Sequence, residues 1–184
     1  MAESTLLGLL AEMVDLGQLA ADDKARREQR QRALAALPPW AARRFELACA
    51  TRALELAPDE HATRVCRLVL DERSRESARH QAAMARQELE RLPPDVCDPE
   101  MPPQVIDAHQ LTRELLELAV ALAEGAPTER IAALASGVAC LARQAQLTGD
   151  AVRVAIMFHA MRGEHAWQML RLIDILLEGP PAAT

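Results

Sequence analysis

The amino-acid sequence predicts an all-α fold of about eight helices, arranged as stacked αα-hairpins or as an irregular helical bundle. Three observations lead there. Apolar residues recur at i, i+3, i+4 and i+7 through the stretches between breakers, the period of a helix buried on one side. Proline and glycine fall mainly between those stretches, where they end one helix and start the next. Aromatic residues make up only 2% of the chain, with two Trp, two Phe and no Tyr, so the side chains that fill the faces of a β-sandwich are missing.

An opening helix is expected where Leu6, Leu9, Leu10, Met13 and Leu16 keep the spacing, closed by Gly17. Asp22 or Asp23 can cap a charged helix that Pro38-Pro39 ends, and the same prolines suit the first turn of the next helix. There Phe45, Ala48, Cys49, Ala53 and Leu56 line one face. After Pro58, Asp59 and Glu60 sit where a helix N-terminus favours negative charge, and Ala62, Val65, Cys66 and Val69 form the buried stripe. The pattern lapses from Asp71 to Ser77, and Ser74 or Ser77 starts a separate helix carrying Ala78, Ala82, Ala85, Leu89 and Leu92.

The segment 93–104 (PPDVCDPEMPPQ) holds five of the eleven prolines and divides a single domain, 1–184, into a polar N-terminal half and a more apolar, acidic C-terminal half. Beyond it, Leu111, Leu115, Leu118, Ala119 and Leu122 predict a strongly amphipathic helix ended by Gly125 and Pro127. Thr128 opens a helix with an Ile131, Leu134, Val138 and Leu141 stripe, among so many Ala, Ser and Gly that a neighbour must approach closely. Thr148-Gly149-Asp150 reads as a turn and cap before a segment, Val152 to Phe158, that is apolar nearly all round. Gly163 is expected to break it. The last helix, Glu164 to about Glu178, is too apolar to stand alone and must pack in the core or form a self-association surface. Helix starts near 22, 38, 58, 76, 105, 127, 150 and 164 give hairpins of roughly 30–40 residues.

The formal net charge of −6 is uneven. Residues 1–92 carry 15 basic and 15 acidic side chains, whereas residues 93–184 carry 6 and 12. Within 24–44, Lys24, Arg26, Arg27, Arg30, Arg32, Arg43 and Arg44 face a single Glu28, a local excess that can attract an acidic protein surface or nucleic acid. The arginines Arg26, Arg27, Arg30, Arg32, Arg43 and Arg44 are therefore the candidate interaction residues. With no apolar run near the ~20 residues of a membrane span and no basic signal-peptide start, a cytoplasmic protein is expected, with no membrane contact.

The pattern argues against catalysis. No GxSxG, GxxxxGK[ST] or GxGxxG occurs, and seven glycines, mostly at helix ends, leave little for a phosphate loop, so neither catalytic residues nor a cofactor is expected. Cys49, Cys66, Cys97 and Cys140 include no CxxC pair; three sit in apolar helical stretches as small hydrophobes, and Cys97 lies in the Pro-rich loop. Glu72, Glu76 and His80 would share a helix face at i, i+4 and i+8 and could hold a divalent metal, although Arg73, Arg75 and Arg79 interleave as in a solvated ion-paired face. His159 and His165, six apart, cannot share a face, and His61 and His109 lie beside acidic residues that satisfy them locally.

Residues 34–87 pair Leu37-Pro38 with an Ala-Cys helix, then enter a helix at Asp59-Glu60 and another at Ser74-Arg-Glu-Ser-Ala-Arg79. In these elements the chain resembles an uncharacterised all-helical bacterial family often encoded near type VI secretion genes, and immunity-type helical proteins show a similar pattern. The resemblance implies an accessory role in a secretion or toxin system. The function expected is a non-catalytic protein-interaction or accessory module, an adaptor or immunity-type protein with a protein partner or a second copy of itself; the alternatives are a nucleic-acid-binding regulator using segment 24–44 and a helical metal-binding protein.

Overall fold

Every described element is helical, and the start of α2 and the end of α5 each have a local cause. The computed structural model describes residues 23–58, 60–71, 75–92, 103–145 and 150–181, together with Gly8. The seven helices among them are α1 (Asp23–Ala35), α2 (Pro39–Leu56), α3 (His61–Asp71), α4 (Arg75–Arg91), α5 (Pro103–Glu124), α6 (Thr128–Ala145) and α7 (Asp150–Glu178). The opening helix expected over 6–16, the loop residues 93–102 with Cys97, and Thr148-Gly149 lie outside the described residues. Pro38 holds the extended conformation (φ −64, ψ 148) before α2, and Pro39 occupies the first turn, where its missing N–H costs nothing. Between α5 and α6, Gly125 takes φ 67 and Ala126 N donates to Ala121 O at 2.9 Å, closing the last turn in a Schellman arrangement.

One expectation is corrected. Gly163 does not break the final segment, and α7 runs unbroken for 29 residues from Asp150 to Glu178. A helical glycine costs only about 1 kcal/mol relative to alanine, and no proline or cap stands nearby to add to it. Glu164, Gln168, Met169, Leu172 and Ile175 all bury their side chains just after it, so packing outweighs that local cost.

The apolar stripes bury as expected, and α6 stands at the centre. It packs against α1, α2, α5 and α7, while α5 packs against α3 and α4. Contact between α2 and α6, far apart in sequence, is as extensive as that within the α5–α6 hairpin, which makes this an irregular bundle and not a stack in which each hairpin meets only the next. Ala132, Ala135, Ala139 and Ala142 are buried along α6, the small side chains that let neighbours come close on several sides. One core cluster runs through Phe45, Leu115, Leu118, Ile131, Val138, Leu172 and Ile175, drawing on segments before and after the Pro-rich loop.

Candidate functional site

The interior is apolar on most sides of α6, but the seam with α7 is not. Glu164, 1% exposed, accepts from Arg52 Nε at 3.2 and 3.0 Å through its two oxygens, and Arg143 Nη2 lies 3.7 Å from Oε2. The Arg52 guanidinium also stacks 4.4 Å from the centre of the Trp167 ring. One turn further, Gln168 is fully buried; its Nε2 donates to Ala132 O at 3.0 Å and Ser136 Oγ at 2.9 Å, while its Oε1 accepts from Arg30 Nη2. Two polar side chains thus occupy the core-facing side of α7, and each is satisfied by partners from neighbouring helices.

Beside this seam lies a cavity of about 460 Å³ between α1, α5, α6 and α7. Arg30 enters it from α1, Asp107 and Glu114 from α5, Gln144 from α6 and His165 from α7. Burial, with Glu117 adding repulsion, pushes the Glu114 carboxyl up to about 7. Burial, with the Arg30 cation second, pulls His165 down to about 4, so its imidazole is neutral at physiological pH. Glu114 fits because position 137 is glycine: a methyl group there would stand 1.8 Å from Glu114 Oε2. Gln144 Nε2 reaches Asp107 Oδ1 at 3.5 Å.

The structure does not gather the four candidate arginines whose side chains it describes into one patch. Arg26 and Arg27 are on α1, but their side chains lie outside the described residues. Arg30 turns inward to the cavity, and desolvation lowers its pKa. Arg32 is exposed and donates to Glu28 O at 3.3 Å, and Arg43 pairs with Glu46 at 3.5 Å. Arg44 binds the Glu178 carboxylate and, at 3.2 Å, Gly179 O, tying α2 to the end of α7. Arg44, Arg52, Arg171 and Trp167 line a shallow cleft.

Cys49, Cys66 and Cys140 are buried and free, and burial raises all three thiols, Cys66 to about 12 and Cys140 to about 11, which keeps them protonated. Of the metal triad, Glu72 lies outside the described residues, α3 and α4 are separate helices, and Glu76 and His80 are exposed. Among the described residues no group of three His, Cys, Asp or Glu side chains could hold a metal ion. His61 pairs with Glu88 of another helix at 3.3 Å, while Asp59, one of the two acidic neighbours expected to satisfy it, lies outside the described residues. No described helix is long and apolar enough to cross a membrane.

Sequence reasoning missed Glu114, Gln144, Glu164 and Gln168. A signal existed: Asp107 and Glu114 run in phase with the Leu111, Leu115 and Leu118 stripe, and Glu164 and Gln168 share their face with Leu172 and Ile175. Comparison with family models, with curated proteins and with solved structures finds no match to this chain.

Proposed function

We propose that this chain is a non-catalytic protein-interaction module that docks an amphipathic helix of a protein partner across the outward face of α7. The observation that carries this reading is an apolar stripe left on the outward side of that helix, in addition to its buried core residues Met169, Leu172 and Ile175. Its core side holds Glu164 and Gln168, while Leu170 and Leu177 are 54% and 69% exposed and, with Ala166 and the half-buried Ile173, form an outward apolar stripe at heptad spacing. A lone surface leucine is ordinary; four apolar positions in one register along a helix are the pattern a second helix reads. An accessory or immunity-type role in a bacterial secretion system is the setting that the resemblance of residues 34–87 supports.

The test compares the native chain with Leu170→Arg/Leu177→Arg by sedimentation and by pull-down from the native cell. Loss of a stoichiometric protein partner in the variant supports the reading; loss of a dimer assigns the stripe to a second copy of the chain. Identical mass and identical partners for the two chains overturn it. The nucleic-acid reading has one observation behind it, the cleft that sets the Trp167 ring among Arg44, Arg52 and Arg171, but Glu178 and Glu164 already pair these cations. Binding of single-stranded nucleic acid that weakens steeply with salt would support it.

A further inference from the structure

We propose that the helix docked on the outward stripe of α7 is α7 of a second copy of this chain, an inference that rests on that stripe being a docking face. The two helices run antiparallel about a two-fold axis between positions 171 and 172, and Asp174 of each copy pairs with Arg171 of the other. A two-fold contact is isologous, so each side chain must fit the one that the rotation sets against it. About this axis Ala166 meets the second copy's Leu177, and Leu170 meets its Ile173. Leu177, 69% exposed, thus seats over a small side chain, while Leu170 and Ile173 fill the middle. A parallel pair would set Ala166 on Ala166 and leave a gap there, and it would align two helix dipoles that the antiparallel pair opposes.

Charge selects the same register. The helical turn of about 100° per residue puts Asp174 on the flank of the stripe that also carries Trp167 and Arg171, beside α2. An antiparallel two-fold brings like flanks together. Asp174 then falls opposite position 169 of the second copy, two residues, or about 3 Å along the axis, from both its Trp167 and its Arg171. Asp174 is exposed and has no ion-pair or hydrogen-bond partner among the described residues, and Glu178 stands at i+4 from it, a like-charge spacing that costs stability in one copy alone. Arg171, its side chain 35% exposed, spends on Glu178 Oε1, at 3.4 Å, one of the five N–H donors it carries. It has donors left for a carboxylate arriving from outside. Along the axis the two arginines lie between the two aspartates, so each aspartate meets a cation before it meets its twin. Such pairs fix register and partner choice more than they add affinity. Four apolar positions are small beside the roughly 800 Å² per partner of a standard interface, so the dimer is reversible and concentration-dependent.

Sedimentation equilibrium of the purified full chain over a concentration series tests this, with Asp174→Arg and Arg171→Asp as variants. The native chain should show a monomer–dimer equilibrium in the micromolar range. Each variant alone sets like charges together twice and should associate at least tenfold more weakly. Mixed in equal amounts, the two variants restore both pairs with reversed sign, so the mixture should dimerise as the native chain does. An unchanged helical circular dichroism spectrum keeps the variants interpretable, and rescue in the mixture cannot come from misfolding. A native chain still monomeric at about 1 mM, single variants that associate like the native chain, or a mixture that stays monomeric overturns the proposal. If the native chain is monomeric and Leu170→Arg/Leu177→Arg still loses a partner from the native cell, the stripe remains a docking face and only the second copy is overturned; if neither a dimer nor a lost partner is found, both fall.

Discussion

Two seams on α6 differ in kind. The α2 and α6 helices bury Phe45, Cys49, Ala53, Ile131 and Ala135, all apolar, with the Thr128–Glu46 hydrogen bond at 2.7 Å joining the two helices, whereas the seam with α7 encloses Glu164, Gln168 and Ser136 with guanidinium groups from α1, α2 and α6. Apolar burial is non-directional and supplies most of the stability, while a satisfied buried network contributes little net energy and admits few alternative registers. The dry seam therefore holds the bundle together. The polar seam positions α7, and the cavity opens beside it.

The largest way to break that contrast is on the dry side. Phe45→Ala, at a fully buried side chain, should destabilise by about 3–5 kcal/mol in urea unfolding. Glu164→Ala should cost less, about 2–3 kcal/mol and below the usual penalty for breaking a buried pair, because Arg52 and Arg143 are 26% and 31% exposed and Arg52 keeps the Trp167 ring. A Glu164→Ala cost at or above that of Phe45→Ala would make the polar seam the main source of stability and reverse the comparison.

The cavity side sharpens it through pH. Glu114 binds its proton more tightly folded than unfolded, so its contribution falls as pH rises from 4.5 towards 7; His165 binds its proton more weakly folded, so its contribution falls as pH drops from 6.5 towards 4. The two slopes oppose each other and largely cancel where the windows overlap. Glu114→Gln should leave stability that declines only on acidification, and His165→Asn stability that declines only as pH rises, each on the order of 1–2 kcal/mol across its window. Urea midpoints for the three chains over this range check it. Parallel curves would show that neither group is desolvated by the cavity.

Most of the fold was legible because breakers and stripes act locally. Pro39, Gly125 and Thr128 mark helix ends where the sequence placed them, and Leu111, Leu115, Leu118 and Leu122 bury as one face. What stayed hidden depends on partners distant in the chain. Arg30 looks like the other arginines of its segment until Gln168, 138 residues away, draws it inward. Glu114 reads as one more helical acid until Gly137 supplies the notch that receives it. A periodic pattern reports which face is apolar, but a polar residue in phase with that face looks like noise unless the partner that satisfies it is known.

The smallest expected effect concerns Gly163, where local propensity and tertiary packing disagreed. It lies on the exposed side of α7 with no positive φ, and a methyl group there would meet nothing within 4 Å. Gly163→Ala should therefore stabilise the protein by about 0.5–1 kcal/mol, since alanine restricts the unfolded chain and gains helix propensity without a clash. If the segment instead needed a hinge at this point, alanine would remove the freedom a hinge uses and lower the unfolding midpoint. The sign of the change, read from urea unfolding, decides whether the polar seam is held by one rigid 29-residue helix or by two that meet beside Glu164.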